Sequence, residues 1–340
     1  MPINKNKAAI AACLMIGLAH AAMGQAAAAP LTLNGTGSGM GFTLSTVIGP
    51  YSYSSSSSYI FVSVGVNAVG QLIAPTGPTG ATYVFNDVDN QSASAGTLVG
   101  TVGPGFAMAE IGGSLYGSQS FGNFYNFNSN GTIGAQITTS VSSVYGLWGD
   151  QTSGKLLASS SSGLVEIDPG TGAVTMINTV FGDQIDGVTV SPDGMVAYAA
   201  DTTQDRVFGF SLVTGSGFGS QIFDSGYLGH GSDGMGVLGG TCKFAGQIVV
   251  NNNDGTVGLI NPSSTGETII ASGGTRGDYA SLDPANGTLF LSQNDQIARI
   301  AAPTGCSIGT SGTSVPEPAS LALLVTALLG AAGVRRRRIC

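Results

Sequence analysis

The sequence predicts an all-β chain built from six repeats of one strand pair, and three observations predict it. Charged residues make up only 9% of the 340 residues, while glycine alone contributes 54. Low charge with many glycines and β-branched residues fits an extracellular β domain better than a helical enzyme. Apolar-alternating strands that end near a Gly-containing turn start at Tyr83, Phe124, Leu164, Val207, Val257 and Ile297, spaced 41, 40, 43, 50 and 40 residues apart. A second short apolar strand precedes each, opening at Gln71, Ser114, Lys155, Met195, Gln247 and Thr288.

A period of 40–50 residues holding several short strands and Gly/Pro turns reads as a β-propeller blade. Six repeats give six blades. One four-stranded blade cannot bury both faces alone, whereas packing blades around an axis does so and leaves only short protected edges. The turns Ser191-Pro192-Asp193-Gly194 and Asp283-Pro284-Ala285-Asn286-Gly287 open two of the repeats. The N-terminal segment 31–60, with its alternating pieces, is the expected source of the strand that closes the ring. A β-sandwich or β-solenoid is the alternative architecture. The stretches Asp186–Gly215 and Asp278–Ile300 resemble repeats of the YVTN/NHL-type propellers, which include lactonases and binding scaffolds. That resemblance covers the N-terminal third poorly, and it implies a fold, not an activity.

The two ends read as addresses. Lys5 and Lys7 form a basic region, Ala8 to Ala19 an apolar one, and small residues follow. That order predicts a secretory signal peptide over residues 1–29, whose twelve-residue apolar run is too short to cross a bilayer comfortably. At the other end Pro316 and Pro318 flank Glu317, Ala319 to Val334 carries no charge, and Arg335, Arg336, Arg337 and Arg338 follow. The prolines enforce an extended strip. The sixteen apolar residues make a marginal span of roughly 24 Å of helix. The four arginines hold their end in the cytoplasm.

This tail resembles the PEP-CTERM sorting signal of exopolysaccharide-producing Gram-negative bacteria. The resemblance implies recognition at Pro316, Glu317 and Pro318 by exosortase, a membrane transpeptidase-like enzyme, with the apolar helix and the arginines as a transient inner-membrane stop. The domains are then a signal peptide over 1–29, a propeller over 30–308, a linker over 309–314 and the sorting signal over 315–340. Sec machinery and exosortase are the expected export partners, and the cell surface or an exopolysaccharide matrix is the expected destination.

Removing the end segments takes six of the eleven basic residues and one of the nineteen acidic ones. Lys155, Arg206, Lys243, Arg276 and Arg299 remain against eighteen acids, a net charge of −13. Such a surface repels nucleic acid and anionic lipid. Of the four cysteines, Cys13 leaves with the signal, Cys340 ends the tail, and Cys242 and Cys306 stay in the body. An oxidising location makes those two a candidate disulfide, with a pair of buried thiols as the alternative.

Catalytic residues are scarce. His230 is the one histidine outside the signal segment. A histidine-cluster metal site is therefore excluded, and the Gly-flanked His230 reads as a solvated loop residue. Asp186, Asp233 and Asp278 begin equivalent strands of three blades. A repeated turn or Asx cap is the favoured reading, and convergence in the channel as ligands for Ca²⁺ is the alternative. The expected function is a non-enzymatic structural or binding module without a cofactor. A lactonase-like hydrolase with a channel metal and a carbohydrate-binding module are the rivals.

Overall fold

The computed structural model describes residues 30–51, 61–76, 79–101, 105–119, 123–141, 143–179 and 185–309. The signal peptide and the whole sorting signal lie outside the described residues. Among the described residues no helix is long and apolar enough to cross a membrane.

The chain forms a six-bladed β-propeller of antiparallel four-stranded blades. From the axis outward, blade 1 runs Gly65–Val66, Gln71–Pro75, Ala81–Asn86 and Thr97–Thr101. Blade 2 runs Gly105–Ile111, Ser114–Gln119, Phe124–Phe127 and Ile133–Ile137. Blade 3 runs Val144–Asp150, Lys155–Ser160, Gly163–Ile167 and Val174–Asn178. Blade 4 runs Ile185–Val190, Val196–Asp201, Arg206–Ser211 and Gln221–Asp224. Blade 5 runs Ser232–Gly240, Ile248–Asn252, Val257–Ile260 and Glu267–Ser272. Blade 6 takes Gly277–Asp283, Thr288–Gln293 and Gln296–Ala301 from one stretch of chain and its outer strand, Thr43–Ile48, from the N-terminus. The two strands of each sequence repeat are thus the second and third strands of a blade.

The N-terminal strand closes the ring from both sides. Its own ladder pairs Leu44 with Ile300 and Thr46 with Ala298. The blade 1 loop adds backbone bonds from Asn90 to Thr46 and from Gln91 to Val47. Phe61, Leu72 and Phe85 of the first repeat share a buried cluster with Phe290 and Ile297 of the last. Beside them Arg299 bonds Asp87 and Asp89, stands 3.8 Å from the fully buried Asp283, and lies over the Phe290 ring. The run Asn86–Asn90, at the end of the third strand of blade 1, therefore staples blade 1 to blade 6.

Two short strands widen blade 5. Thr32–Leu33 pairs with its outer strand, and Cys306–Ile308 pairs with its inner strand at Leu238–Gly240. Cys242 and Cys306 form a disulfide with Cα atoms 5.2 Å apart. Between Thr32–Leu33 and Thr43–Ile48, Asn34 caps the helix Gly35–Met40 through its side chain, and Gly41 ends it in the left-handed region.

Candidate functional site

The inner strands of blades 2 to 6 share an irregularity. In each, three inner-strand steps oppose two on the second strand: Gly105 to Met108, Val144 to Leu147, Ile185 to Val188, Ser232 to Met235 and Gly277 to Ala280. These are β-bulges, which re-aim side chains. The bulges of blades 4, 5 and 6 hold Asp186-Gly187, Asp233-Gly234 and Asp278-Tyr279.

The bulge glycines let neighbouring inner strands meet. A methyl group on Gly146 would strike the Asp186 carbonyl, one on Gly187 the Asp233 carbonyl, and one on Gly234 the backbone of Asp278–Ala280. Side chains of second strands fasten the same seam. Ser159 Oγ accepts from Gly146 N–H at 2.6 Å and donates to the Asp186 carbonyl at 2.7 Å. Asn251 Nδ2 reaches the Asp278, Tyr279 and Ser292 carbonyls.

Three carboxylates therefore converge at one end of the channel, here called the acid mouth. The favoured sequence reading of these residues as Asx caps is corrected. Asp233 is fully buried and caps no backbone N–H group; its polar neighbours are the Asn253 amide and, 3.9 Å away, Arg276. Capping falls instead to Asp150, Asp168, Asp201 and Asp283, whose side chains accept from backbone N–H groups two or three residues on. Those four sit at hairpin turns, where the cap geometry exists. The other three sit inside bulged strands, where it does not.

One cation serves the cluster. Arg276 places Nη2 3.9 Å from Asp233 and Nη1 4.0 Å from Asp278, while its Nε donates to Asn253 Oδ1 at 2.8 Å. Burial, with Asp186 and Asp278 nearby, pushes the Asp233 carboxyl well above its ordinary range. Burial also raises Asp278 to about 7 against the pull of Arg276, and raises Asp186. Tyr279 is pushed far up by burial and by the same three carboxylates. Burial opposes the Arg276 charge, but Asp278, Asp233 and Asp186 outweigh it and raise its pKa. The mouth sets three carboxyls against one guanidinium, and burial drives the surplus toward the protonated form.

His230 lies on the rim in the loop joining blades 4 and 5, with Nδ1 2.7 Å from Asp254. Asp205 receives the N–H groups of Gly231 and Ser232 and fixes that loop. Glu267 accepts from Asn252 at 2.9 Å, and burial raises it to about 7. The imidazole is thus tied to Asp254. Trp148, in the inner strand of blade 3, is buried in the main core.

Sequence reasoning missed Arg276, Asn253 and Tyr279. The signal for Arg276 was present: the body has five cations, and this one stands two residues before Asp278. The oxygen donors would suit a hard cation such as Ca²⁺. As arranged they do not fit one, because Arg276 stands among them. Among the described residues no group of three His, Cys, Asp or Glu side chains is spaced to hold a metal ion.

The fold and the mouth define a propeller with an acidic channel entrance. Comparison with known proteins adds the address. The family of the PEP-CTERM protein-sorting motif matches residues 314–338. The chain thus carries a PEP-CTERM sorting motif at its C-terminus, which implies processing by exosortase and sorting to the cell surface. No curated protein matches the chain. Among solved structures, a putative gluconolactonase is similar at 13% identity and a TM-score of 0.56, over 76% of this chain and 97% of that one. The WD40 β-propeller domain of Doa1 is similar at 14% and 0.53, over 70% and 77%. A chain of the mitotic checkpoint complex is similar at 13% and 0.51, over 70% and 72%. Likeness at these identities shows the fold alone, and 1417 solved chains match it, a breadth that fits a scaffold hosting many functions.

Proposed function

We propose that the chain is an exported, non-enzymatic binding module of the cell surface, whose acid mouth takes a positively charged organic group. The fully buried Asp233, whose oxygens make no short hydrogen bond and whose nearest counter-charge, Arg276, stands 3.9 Å away, carries this reading. A buried carboxylate left so is unfavourable by several kcal/mol, on the order of what a bound cation relieves. An ammonium group suits these oxygens better than a metal ion because it needs hydrogen-bond acceptors and no fixed coordination shell. Ammonium groups on an amine-bearing exopolysaccharide would suit both the site and the destination. A glycan array spanning aminated and neutral oligosaccharides tests the ligand. Deleting Val315–Cys340 tests the address: surface retention should be lost, and unchanged retention would refute the sorting reading.

A lactonase-like hydrolase using a channel metal is the second reading. The same Asp233 oxygens speak for it, while Arg276 and the spacing of the carboxylates speak against it. Metal analysis of the purified mature protein separates the two, since the hydrolase requires a tightly held divalent ion that is lost, with the activity, in Asp186→Ala.

A further inference from the structure

The acid mouth and the sorting tail leave the propeller at opposite ends. Each inner strand starts at the mouth, at Asp186, Asp233 or Asp278, and runs to the far face. Cys306–Ile308 pairs with the last three residues of the blade 5 inner strand, Leu238–Gly240, at that far face. Ile308 is fully buried in the same cluster as Trp148, Leu238 and Leu282, and its N–H donates to Gly287 in the blade 6 hairpin. The Gly309 N–H donates to Val237 of blade 5. A methyl group at Gly309 would touch Leu282 of blade 6 and Trp148 of blade 3, and its φ of +67° favours glycine. The chain therefore crosses the far end of the channel before the tail begins, and the Cys242–Cys306 disulfide bolts it there.

We propose that this far face is turned toward the lipid membrane that holds the tail, so that the acid mouth is presented outward. The uncharged run Ala319–Val334, followed by Arg335–Arg338, places the tail in a bilayer with its arginines on the cytoplasmic side. From Gly309 to Ala319 the chain spans at most about 35 Å when fully extended. A domain of this size has a radius of gyration of about 19 Å and hence a diameter of about 50 Å. A tether of that length, starting at the channel axis on the far face, cannot pass round the rim and turn the mouth to the membrane.

Energy transfer tests the orientation on the full chain in a Cys13→Ser/Cys340→Ser background, with the native disulfide intact. A fluorophore is placed at Ala285→Cys, in an exposed far-face turn, or at Thr203→Cys, in an exposed mouth-side turn. The protein is inserted through its own tail into phosphatidylcholine vesicles bearing headgroup acceptors. Transfer should be at least about threefold more efficient from position 285, given its steep fall with distance. Equal transfer, stronger transfer from 203, or none from either position overturns the proposal. Its failure leaves the mouth's ligand binding, read separately in solution, untouched.

Discussion

Gly187 in blade 4 lies directly against the backbone carbonyl of Asp233 in blade 5, and no Cβ fits between them. The glycine that follows Asp186 is thus the reason two carboxylate-bearing bulges stand side by side. Gly187→Ala should lower stability by about 2–4 kcal/mol, because backbone on both sides of the seam must move. Gly217→Ala, whose Cβ would meet open space, should change it by under about 0.5 kcal/mol. Urea unfolding of both variants checks the contrast.

The mouth should make stability fall with rising pH. Asp233 and Asp278 have pKa values raised on folding, Asp278 to about 7. Their favourable contribution is full below about pH 4, where the unfolded carboxyls are also protonated. It is lost as pH rises through about 7, because the unfolded chain then ionises more readily. Asp233→Asn should match the parent near pH 4 and exceed it by on the order of 2 kcal/mol at pH 7.5. Thermal melts across that range decide it, and a variant less stable at pH 7.5 contradicts the assignment.

Breaking the Arg299 staple should loosen the ring closure. Arg299→Ala leaves Asp87, Asp89 and Asp283 without their cation, and burial already raises Asp283 to about 6. A loss of about 3 kcal/mol is expected. Hydrogen exchange should rise first in Thr43–Ile48 and blade 1, whereas uniform exchange would count against a closure role.

Removing the disulfide should destabilise by about 4 kcal/mol, the loop-entropy value for a separation of 64 residues. The Cys242→Ser/Cys306→Ser protein and the reduced parent should melt alike. No shift in either would show that the far-face strand holds without its bolt.

Much of the fold was legible in the sequence because a propeller repeats its physics. The second and third strands of each blade are short, apolar and bounded by Gly turns, so six starts at 40–50 residue spacing stood out. The inner strands were harder to see. Ser232–Gly240 and Gly277–Asp283 carry bulges that break the two-residue alternation. The same break disguised the site. Asp-Gly is ordinarily a turn signal, and Asp186-Gly187 was read that way, although its glycine serves close approach between blades. Arg276 and Asn253 reach the mouth from separate loops, so only the folded chain brings them together.

The central claim is that the mouth binds a cationic group through Asp233. Calorimetric titration of the exported protein at pH 5.5, where the amines are protonated, with a glucosamine oligomer tests it most directly. One-site binding should release protons to the buffer, because the cation favours ionised carboxylates, and Asp233→Asn should abolish it. No binding by the parent, or equal binding by the variant, would contradict the account.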